Sequence, residues 1–512
     1  MAAIVKCFSI SGIDGYPVDI EASVLNTGSF SVSIIGMGDT AIKESVERIQ
    51  AALTDCGFSV PENKVVLSLA PSDKKKHGSH YDLALAVALL TQTNQIKPIN
   101  ILKYGFLGEL SLGGNLRPVS GILPMILAAR ASGTHDIIVP LSNAPEARLV
   151  KDVNIYPFKT LTEVTRFLEG REVPDYKSEN VTSPPPEAHV PDFSDVKGQN
   201  ALIESIVLAA AGGHNLLMIG NPGCGKTMIA KRIPGILPEM TEEEALETTK
   251  IHSISGLLSG NVGLLTERPF RAPHHNASIN ALIGGGPNAM PGEISLAHNG
   301  VLFFDELLEF SRVSLDALRQ PLEDKKVVIS RVNFTNTYPA NFMFVAAANP
   351  CPCGYYPGPK CRCTDFEIVK YRNKISGPIL DRIDIQKQVA PVDLFDIEKC
   401  ASAPSSRELR ARVSSARKIQ ELRFKDIPSV SSNAQMTANL IDTYCELEQE
   451  SSSLLRKACD RFSYSARVVH KLLRMARTSA DLAGASKIRK EDISFVLHSR
   501  DLDKNNGMLT VL

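Results

Sequence analysis

A glycine-rich turn between two apolar segments constrains the fold of this chain more than any other stretch. Residues 220–227 fit the pattern G-x-x-x-x-G-K-[ST], in which successive backbone N–H groups converge on phosphate oxygens. Residues 216–219 predict a short buried strand before the turn, and residues 228–232 predict a helix after it, whose N-terminus favours an anion. This order predicts a P-loop on a parallel α/β sheet. The predicted nucleotide-binding residues are Gly220, Asn221, Pro222, Gly223, Cys224, Gly225, Lys226 and Thr227.

A second apolar segment supplies the carboxylates that such a site needs. Residues 301–304 predict a strand, and Asp305 and Glu306 follow it directly. Because the carboxyl ends of parallel strands meet at one edge of a sheet, both side chains are expected beside the P-loop. Lys226 is expected to reach the β- and γ-phosphates, and Thr227 and Asp305 to ligate Mg²⁺. Glu306 is expected to orient and deprotonate the attacking water. The two segments together predict hydrolysis of ATP with Mg²⁺ as cofactor.

Composition indicates a soluble globular protein of several domains. Its 512 residues suffice for about three domains. The hydrophobic fraction is 43%, and no apolar run is long enough to span a bilayer, so no membrane partner is expected. The N-terminus lacks an apolar signal segment, which predicts a cytoplasmic protein. With 56 basic and 56 acidic residues the net charge is zero, so charge alone does not indicate a nucleic-acid partner.

Residues 1–172 predict an N-terminal α+β domain. Periodicity predicts strands at residues 30–35 and 65–69 and helices at residues 41–53 and 81–90. The lysines at positions 74–76, with His77 and His80, could contact phosphate, but a solvated loop is the favoured interpretation.

Part of this domain resembles the Lon-protease and ribosomal-S5-like domain. The resemblance is carried by residues 108–119, which look like its strand–turn–strand. Lon proteases use a Ser–Lys dyad there; by alignment His80 falls at the Ser position and Leu123 at the Lys position. Leu has no amine to activate a hydroxyl, and Ser79 could replace only the nucleophile. The resemblance therefore implies a non-proteolytic relative of this domain.

A proline-rich stretch divides the chain after the N-terminal domain. Residues 173–191 contain Ser-Pro-Pro-Pro-Glu, which is stiff and extended and predicts a linker. Residues 192–394 are predicted to form the α/β nucleotide-binding core, with its first helix at residues 201–211. Residues 395–512 are predicted to form an all-α lid.

Two segments of the core are candidates for contacts outside the nucleotide site. Residues 271–275 and 284–287 flank a short predicted helix, and glycine-rich hinges of this kind predict a mobile insertion rather than core. A metal at its histidine pair is disfavoured because no carboxylate stands at ligand spacing. Residues 325–334 alternate as in a β-hairpin, whose Arg331 could grip a phosphate or could instead pair with an acidic neighbour. Both segments lie where magnesium-chelatase and minichromosome-maintenance ATPases carry extra loops, and this resemblance implies DNA contacts at His274, His275, Lys325, Lys326 and Arg331.

Four cysteines follow the next predicted strand at short spacing. Cys351 and Cys353 form one C-x-C pair, and Cys361 and Cys363 form a second. Four thiolates at this spacing suit tetrahedral Zn²⁺, and the glycines and prolines between them allow the loop to fold back. Two disulfides or free thiols are the alternatives, although ten cysteines in so long a chain do not suggest a disulfide scaffold. The spacing favours structural Zn²⁺.

Polar residues farther along resemble the catalytic set of AAA+ ATPases. Asn349 ends a predicted strand, where sensor 1 of AAA+ proteins positions water. Residues 376–384 resemble the L-x-R-F-D region of magnesium-chelatase and minichromosome-maintenance ATPases. The resemblance implies that Arg382 enters the nucleotide site of a neighbouring subunit, with an ion pair to an adjacent aspartate as the alternative. Residues 463–474 look like the sensor-2 helix of the AAA+ lid, with Arg467 as its arginine.

The order of these features over nearly the whole chain resembles the YifB/ComM family, the magnesium-chelatase-like AAA+ proteins of bacteria. Residues 349–354 and 376–378 are characteristic of that family. The resemblance implies a homo-hexameric DNA helicase that extends branches when incoming DNA recombines with the chromosome in natural transformation. It also implies single-stranded or branched DNA as a partner and recombinase machinery as a further one.

Two other functions compete with a DNA motor. An ATP-dependent protease or protein remodeller of the Lon type predicts peptide cleavage. Leu123 at the position of the dyad lysine disfavours this function. A magnesium chelatase subunit predicts dependence on a partner that carries the metal-ion-adhesion domain, and the N-terminal domain speaks against this function. A DNA motor predicts that DNA stimulates the ATPase.

Overall fold

The structure is a computed structural model that describes residues 2–25, 31–60, 63–171, 190–258, 263–286, 288–331, 334–390, 403–427 and 430–504. The predicted linker falls almost entirely outside these residues, so its extended form stays a prediction. Among the described helices, none is both long and apolar enough to cross a membrane.

The N-terminal domain is a mixed sheet covered by helices. Its second strand alternates buried and exposed residues, because one face packs on the core, while the helix at Asp82–Gln92 has buried side chains all round. Its strands are β1 Ala3–Ser11, β2 Asp14–Leu25, β3 Val32–Ile35, β4 Lys64–Ala70, β5 Tyr104–Phe106, β6 Glu109–Leu110, β7 Leu116–Arg117, β8 Asp136–Pro140 and β9 Asn154–Phe158, and its helices are α1 Thr40–Asp55, α2 Asp82–Gln92, α3 Ile122–Ala131, α4 Ala144–Ala147 and α5 Leu161–Leu168.

The sheet of this domain has the order β3-β4-β2-β1-β5-β8-β9 within the described residues. β2 pairs antiparallel with β1 and with β4, and the remaining neighbours are parallel. β6 and β7 form a separate antiparallel pair, the expected strand–turn–strand. The four elements expected here from periodicity are confirmed wherever the structure describes them.

The loop with three lysines differs from the expected solvated loop. Lys74 is exposed, but Lys76 and His80 are buried. The ammonium of Lys76 donates to the carbonyl of Pro71, and burial lowers the pKa of His80 to about 4. The prediction was wrong for these two side chains, because the following residues enter α2 and draw the loop into the core.

The second half of the chain is built on a parallel sheet. Its strands carry apolar residues on both faces, as expected of strands covered on both sides. The strands of this half are β10 Leu216–Gly220, β11 Phe270–Arg271, β12 Gly284–Gly285, β13 Met290–Pro291, β14 Val301–Phe304, β15 Lys326–Arg331, β16 Phe334–Pro339, β17 Met343–Ala348 and β18 Ile385–Val389.

The order of the parallel sheet decides which loops meet. It is β11-β14-β17-β10-β18, so β14, β17 and β10 are direct neighbours. The P-loop follows β10, Asp305 follows β14, and Asn349 follows β17. All three segments therefore lie at the carboxyl edge of the sheet, as predicted.

Helices surround this sheet. The helix after the P-loop begins at Lys226, two residues before the predicted start, and ends at Ala230, after which a 3₁₀ turn at Ile233–Ile236 contains Pro234. The helices of the core are α6 Asn200–Gly212, α7 Lys226–Ala230, α8 Glu242–Ile254, α9 Ile279–Ile283, α10 Glu293–Leu296, α11 Arg312–Asp316, α12 Arg319–Asp324, α13 Asp365–Arg372 and α14 Gly377–Leu380.

The C-terminal part is helical, as expected. Its first helix begins with a capping box in which Ser405 and Glu408 each accept a backbone N–H of the other. Its buried stripe packs on α6, so the lid shares one core with the sheet. The helices are α15 Ser406–Arg423, α16 Ala438–Tyr444, α17 Gln449–Phe462, α18 Ala466–Leu482, α19 Lys490–His498 and α20 Asp501–Lys504.

The insertion that contains α9 is packed rather than loose. Leu282 and Ala289 are fully buried and share a core cluster with the hairpin residue Ile329. The hydroxyl of Tyr338 on β16 donates to the carbonyl of Ala289 at 2.9 Å. The expectation of a segment outside the core was therefore wrong, because apolar side chains on both sides of its glycines anchor it.

The N-terminal domain packs against α8 of the core. The N–H of Gly121 donates to the carbonyl of Ser253 at 3.0 Å, and the Ser253 hydroxyl donates to Glu146 at 2.5 Å. Leu246 of α8 packs into the N-terminal core cluster. Polar bonds and apolar contacts thus join the two halves along α8.

Candidate functional site

The P-loop has the backbone that its glycines permit. Gly223 has a φ of +78° and Gly225 a φ of +88°, which are left-handed values that favour glycine. No atom lies within 4 Å of the position that a Cβ on Gly223 would occupy, so the tip of the loop is open on that side. Gly225 is the N-cap of α7, where free backbone N–H groups attract an anion.

Lys226 lies between the P-loop and the neighbouring strand. Its Nζ donates to the carbonyls of Gly220 at 2.6 Å and Asn221 at 3.0 Å. It also donates to Oδ1 of Asn349 at 3.3 Å. The predicted phosphate-binding amine and the predicted sensor amide are thus in direct contact.

Thr227 and Asp305 meet across two strands. The Thr227 hydroxyl donates to Oδ2 of Asp305 at 2.6 Å, and Oδ1 of Asp305 accepts the N–H of Glu306 at 3.0 Å. A hydroxyl and a carboxylate oxygen are the ligand types that Mg²⁺ takes in phosphate-binding sites. This donor set fits the ion that the sequence predicts there.

Glu306 stands in an unusual backbone conformation next to these groups. Its φ is +50°, a left-handed value that a residue with a Cβ rarely adopts, and its side chain is 54% exposed. Nδ1 of His275 lies 3.7 Å from its carboxylate, and the centroid of the His274 ring lies 4.1 Å from that of His275, with the ring planes tilted by 33°. The histidine pair predicted as a DNA contact therefore lies at the proposed water-activating carboxylate, which the sequence spacing did not indicate.

The two predicted arginines lie near each other but have different partners. Arg382 donates to the carbonyl of Pro378 at 2.7 Å and to the carboxylate of Glu323. Arg467 lies at the start of α18 and its guanidinium is 3.6 Å from Asp381. The acid that pairs with Arg382 is therefore neither of the adjacent aspartates that the sequence offered as partners.

A polar cluster surrounds Asp384, two residues after Arg382. Burial acts to raise the pKa of Asp384, but the His214 ring, the Lys471 ammonium and the N–H of Asn215 outweigh it and lower that pKa to about 2. Burial also lowers the pKa of Lys471 to about 8. Sequence reasoning gave Lys471 and His214 no role, because they meet Asp384 only in three dimensions.

The four predicted zinc ligands converge. Their sulfur atoms all lie within 4.8 Å of one another, with Cys351 to Cys353 at 3.3 Å and Cys353 to Cys361 at 3.6 Å. Tetrahedral Zn²⁺ with bonds of about 2.3 Å would separate its sulfurs by about 3.8 Å. Backbone N–H groups of Arg362 and Tyr355 lower the pKa of Cys353 to about 6, which favours the thiolate.

The same geometry excludes the alternative of two disulfides in this structure. All four cysteines are free, and their separations exceed the bonded S–S distance of about 2.05 Å. Among the described residues, this is the one cluster of His, Cys, Asp and Glu with metal-site dimensions. The donor set fits Zn²⁺.

The hairpin carries its three predicted cations in different settings. Lys326 is exposed at the start of β15, while burial lowers the pKa of Lys325, whose ammonium lies 5.9 Å above the Phe342 ring. Arg331 at the other end of β15 is exposed and donates to Oδ1 of Asn280 at 3.4 Å. Lys325 is thus the member of this set least accessible to a partner.

Leu123 and Ser79 are the residues considered for a Lon dyad in the N-terminal domain. Leu123 is fully buried in α3, and the Ser79 hydroxyl donates to the carboxylate of Glu109. The absence of a proteolytic dyad from this domain stays a prediction.

Three family models match the chain. One described as magnesium chelatase, subunit ChlI, matches residues 192–396, and one described as subunit ChlI of Mg-chelatase matches residues 20–143. A third, described as magnesium chelatase, subunit ChlI C-terminal, matches residues 403–500. Because the second match covers much of the N-terminal domain, that domain does not separate this chain from chelatase subunits, contrary to the expectation above.

Two of the curated relatives match over nearly their whole length, and a third matches over about half. The chain is 38% identical over 504 residues to competence protein ComM of Haemophilus influenzae, covering 97% of each. It is 37% identical over 503 residues to the uncharacterised protein YifB of Escherichia coli, covering 98% of this chain and 97% of that protein. Lon protease 2 of Bacillus subtilis is 23% identical over 276 residues, covering 48% of this chain.

Proposed function

The chain belongs to the YifB/ComM family of magnesium-chelatase-like AAA+ ATPases, and we propose that it is an ATP-driven DNA motor that moves branched DNA junctions. Its substrate is ATP, and its DNA partner is single-stranded or branched. One relative is named a competence protein, which fits work on incoming DNA during natural transformation. The family resemblance implies a homo-hexamer, in which each subunit could supply Arg382 to the site of its neighbour.

The contact of Lys226 and Asn349 at the carboxyl edge of the sheet carries the ATPase part of the proposal. The P-loop N–H groups and Lys226 bind the phosphates, and Asn349 beside Lys226 orients water. Glu306 accepts the proton of that water at its carboxylate. Mg²⁺, held by Thr227 and Asp305, would neutralise charge on the phosphate oxygens.

The contact between the β15–β16 hairpin and the insertion that contains α9 supports the proposal that the protein moves along DNA. Arg331 at the tip of β15 contacts Asn280 of the insertion, and the two segments share buried residues. A pair of elements that brace each other can transmit force to a bound strand. Arg331 supplies the exposed cation that a phosphate requires, and sequence-independent contacts of this type suit a motor.

Steady-state ATPase with matched DNAs tests this function. A four-way junction, a linear duplex and a single strand of equal nucleotide content are added at constant salt. We expect the junction to raise turnover and to be resolved into branch-migrated products only with hydrolysable ATP. Glu306→Gln protein is the control for passive melting. An ATPase indifferent to all three DNAs, with no product formed, would contradict the proposal.

A protease function has a separate readout. The buried Leu123 offers no base for Ser79, so we expect no ATP-dependent cleavage of an unfolded protein substrate. Cleavage that Ser79→Ala abolishes would instead support the Lon-type alternative.

A further inference from the structure

The loop that carries the four cysteines lies directly against the P-loop. Gly354 has a φ of +84°, and a Cβ there would lie 2.5 Å from Cδ and 2.6 Å from Cγ of Pro222. Real Cβ atoms do not approach other heavy atoms closer than about 3.0 Å. Only glycine at position 354 therefore allows the cysteine loop to contact this proline of the nucleotide-binding turn.

Contacts away from the P-loop also hold the four-cysteine loop in place. Cys351 is fully buried, and its carbonyl accepts the N–H of Gly354 at 2.9 Å. The carbonyl of Pro350 accepts from Nε of Arg372 at 3.1 Å, and that guanidinium stacks 4.8 Å above the Tyr356 ring. The chain thus runs from Asn349 through the cysteines to α13 with contacts on each side.

Pro222 lies at an exposed position of the turn. The neighbouring Gly223 has open space where a side chain would be. The contact with Gly354 therefore restrains the tip of a turn whose N–H groups must converge to bind phosphate. A metal that rigidifies the cysteine loop would also restrain that turn.

We propose that the four-cysteine loop is a positioning element of the nucleotide site, through which bound Zn²⁺ raises the affinity for ATP. The contact between Gly354 and Pro222 couples the conformation of the four-cysteine loop to that of the P-loop. Coupling between two binding sites is reciprocal. ATP must therefore raise the affinity for Zn²⁺ by the same factor by which Zn²⁺ raises the affinity for ATP. The inference rests on the proposed ATPase function and adds a structural determinant to that site.

The first test measures zinc and nucleotide affinity in the same samples. Purified protein should contain about one Zn²⁺ per chain by elemental analysis. In Gly354→Ala we expect zinc content to be retained and the Kd for a fluorescent ATP analogue to rise about tenfold. Pro359→Ala, an exposed change in the same loop, is the matched control and should leave both unchanged. A wild-type Kd in Gly354→Ala would overturn the proposal.

The second test needs no substitution. Zinc loss to a chromogenic chelator is followed in the full-length wild-type protein with and without saturating ATP. We expect ATP to slow release severalfold, and Lys226→Ala protein to lose that protection. Equal release rates in the wild-type protein, while ATP still binds, would overturn the inference and leave the ATPase function standing. Absence of ATP binding by the wild-type protein would overturn the ATPase function itself.

Discussion

Glu306, the carboxylate proposed to activate water, combines an unusual backbone conformation with an accessible side chain. It follows β14 directly, has a φ of +50°, and keeps a half-exposed carboxylate beside His275. Strained backbone of this kind persists only where surrounding contacts impose it, and it is common at catalytic residues. This backbone conformation supports the proposed catalytic role of Glu306.

Replacing Glu306 by Gln should separate binding from hydrolysis. The amide cannot accept the proton of water, so we expect turnover to fall by about 10²-fold to 10⁴-fold while the Kd for ATP stays near wild type. Lys226→Ala should instead weaken ATP binding. Equilibrium binding and steady-state ATPase on the same preparations distinguish the two. Wild-type turnover in Glu306→Gln would refute the assignment.

Asp384 gives a prediction for pH dependence. Its folded pKa is about 2, below the unfolded value of about 3.9, so it stabilises the fold above pH 4 and this contribution is lost as the pH falls from about 4 to about 2. At pH 7 we expect Asp384→Asn to lower the free energy of unfolding by about 2 kcal/mol. The deficit should shrink in acid, as followed by circular dichroism in urea.

The adjacent Asp381 supplies the control for this experiment. Its side chain is 51% exposed and pairs with Arg467 at 3.6 Å, so Asp381→Asn should change stability little. A pH-independent deficit in Asp384→Asn would show that packing rather than charge is responsible.

Among the elements, two pack together as one unit. They are the hairpin of β15 and β16 and the insertion that contains α9. Tyr338 donates to Ala289, and Arg331 donates to Asn280. Gly284 of the insertion permits this closeness, because a Cβ there would clash with the carbonyl oxygen of Met290 and lie 2.7 Å from Cδ1 of Ile329 on β15. Two roles for Arg331 follow from this packing: it binds a phosphate of DNA, or it stiffens the hairpin.

Paired variants decide between these uses. Arg331→Ala should raise the DNA concentration that half-maximally stimulates the ATPase severalfold, and should reduce the salt dependence of binding by about one counterion. Basal ATPase should stay close to wild type. Asn280→Ala removes the intramolecular partner but leaves the cation, so DNA stimulation should be retained. Equal defects in both variants would indicate the stiffening role instead.

At the scale of the whole molecule, the proposed role of Arg382 in a neighbouring nucleotide site needs a second chain. Its described partners are Pro378 and Glu323, and neither belongs to the P-loop or to the carboxylates after β14. Its side chain is 20% exposed, so part of the guanidinium is accessible to a neighbouring subunit. A planar cation supplied between subunits can neutralise charge on the γ-phosphoryl group.

Mixing two inactive variants tests this assembly. Arg382→Ala should bind ATP but hydrolyse it about 10³-fold more slowly. Adding Glu306→Gln subunits should restore part of the activity, because their Arg382 can complete a site that has an intact Glu306. The ATPase rate is measured against the mixing ratio. Full activity of a strictly monomeric preparation would rule out a shared site.

The sequence by itself determined the nucleotide site and the order of the elements. The glycine pattern specifies a local backbone, and the apolar runs specify buried parallel strands, so Lys226, Asp305 and Asn349 could be assigned to one sheet edge in advance. The two C-x-C pairs likewise bring their own ligands together, because the loop between them is short. In each case the information lies within a few residues or in a general rule of strand order.

Only the tertiary structure decided which distant side chains meet. His275 reaches Glu306, Asp384 receives His214 and Lys471, and Gly354 touches Pro222. Periodicity likewise could not show that Lys76 would be buried, since burial of a lysine depends on the elements packed around it. These contacts join residues far apart in the chain, and their geometry is set by how helices and sheet pack rather than by local preference.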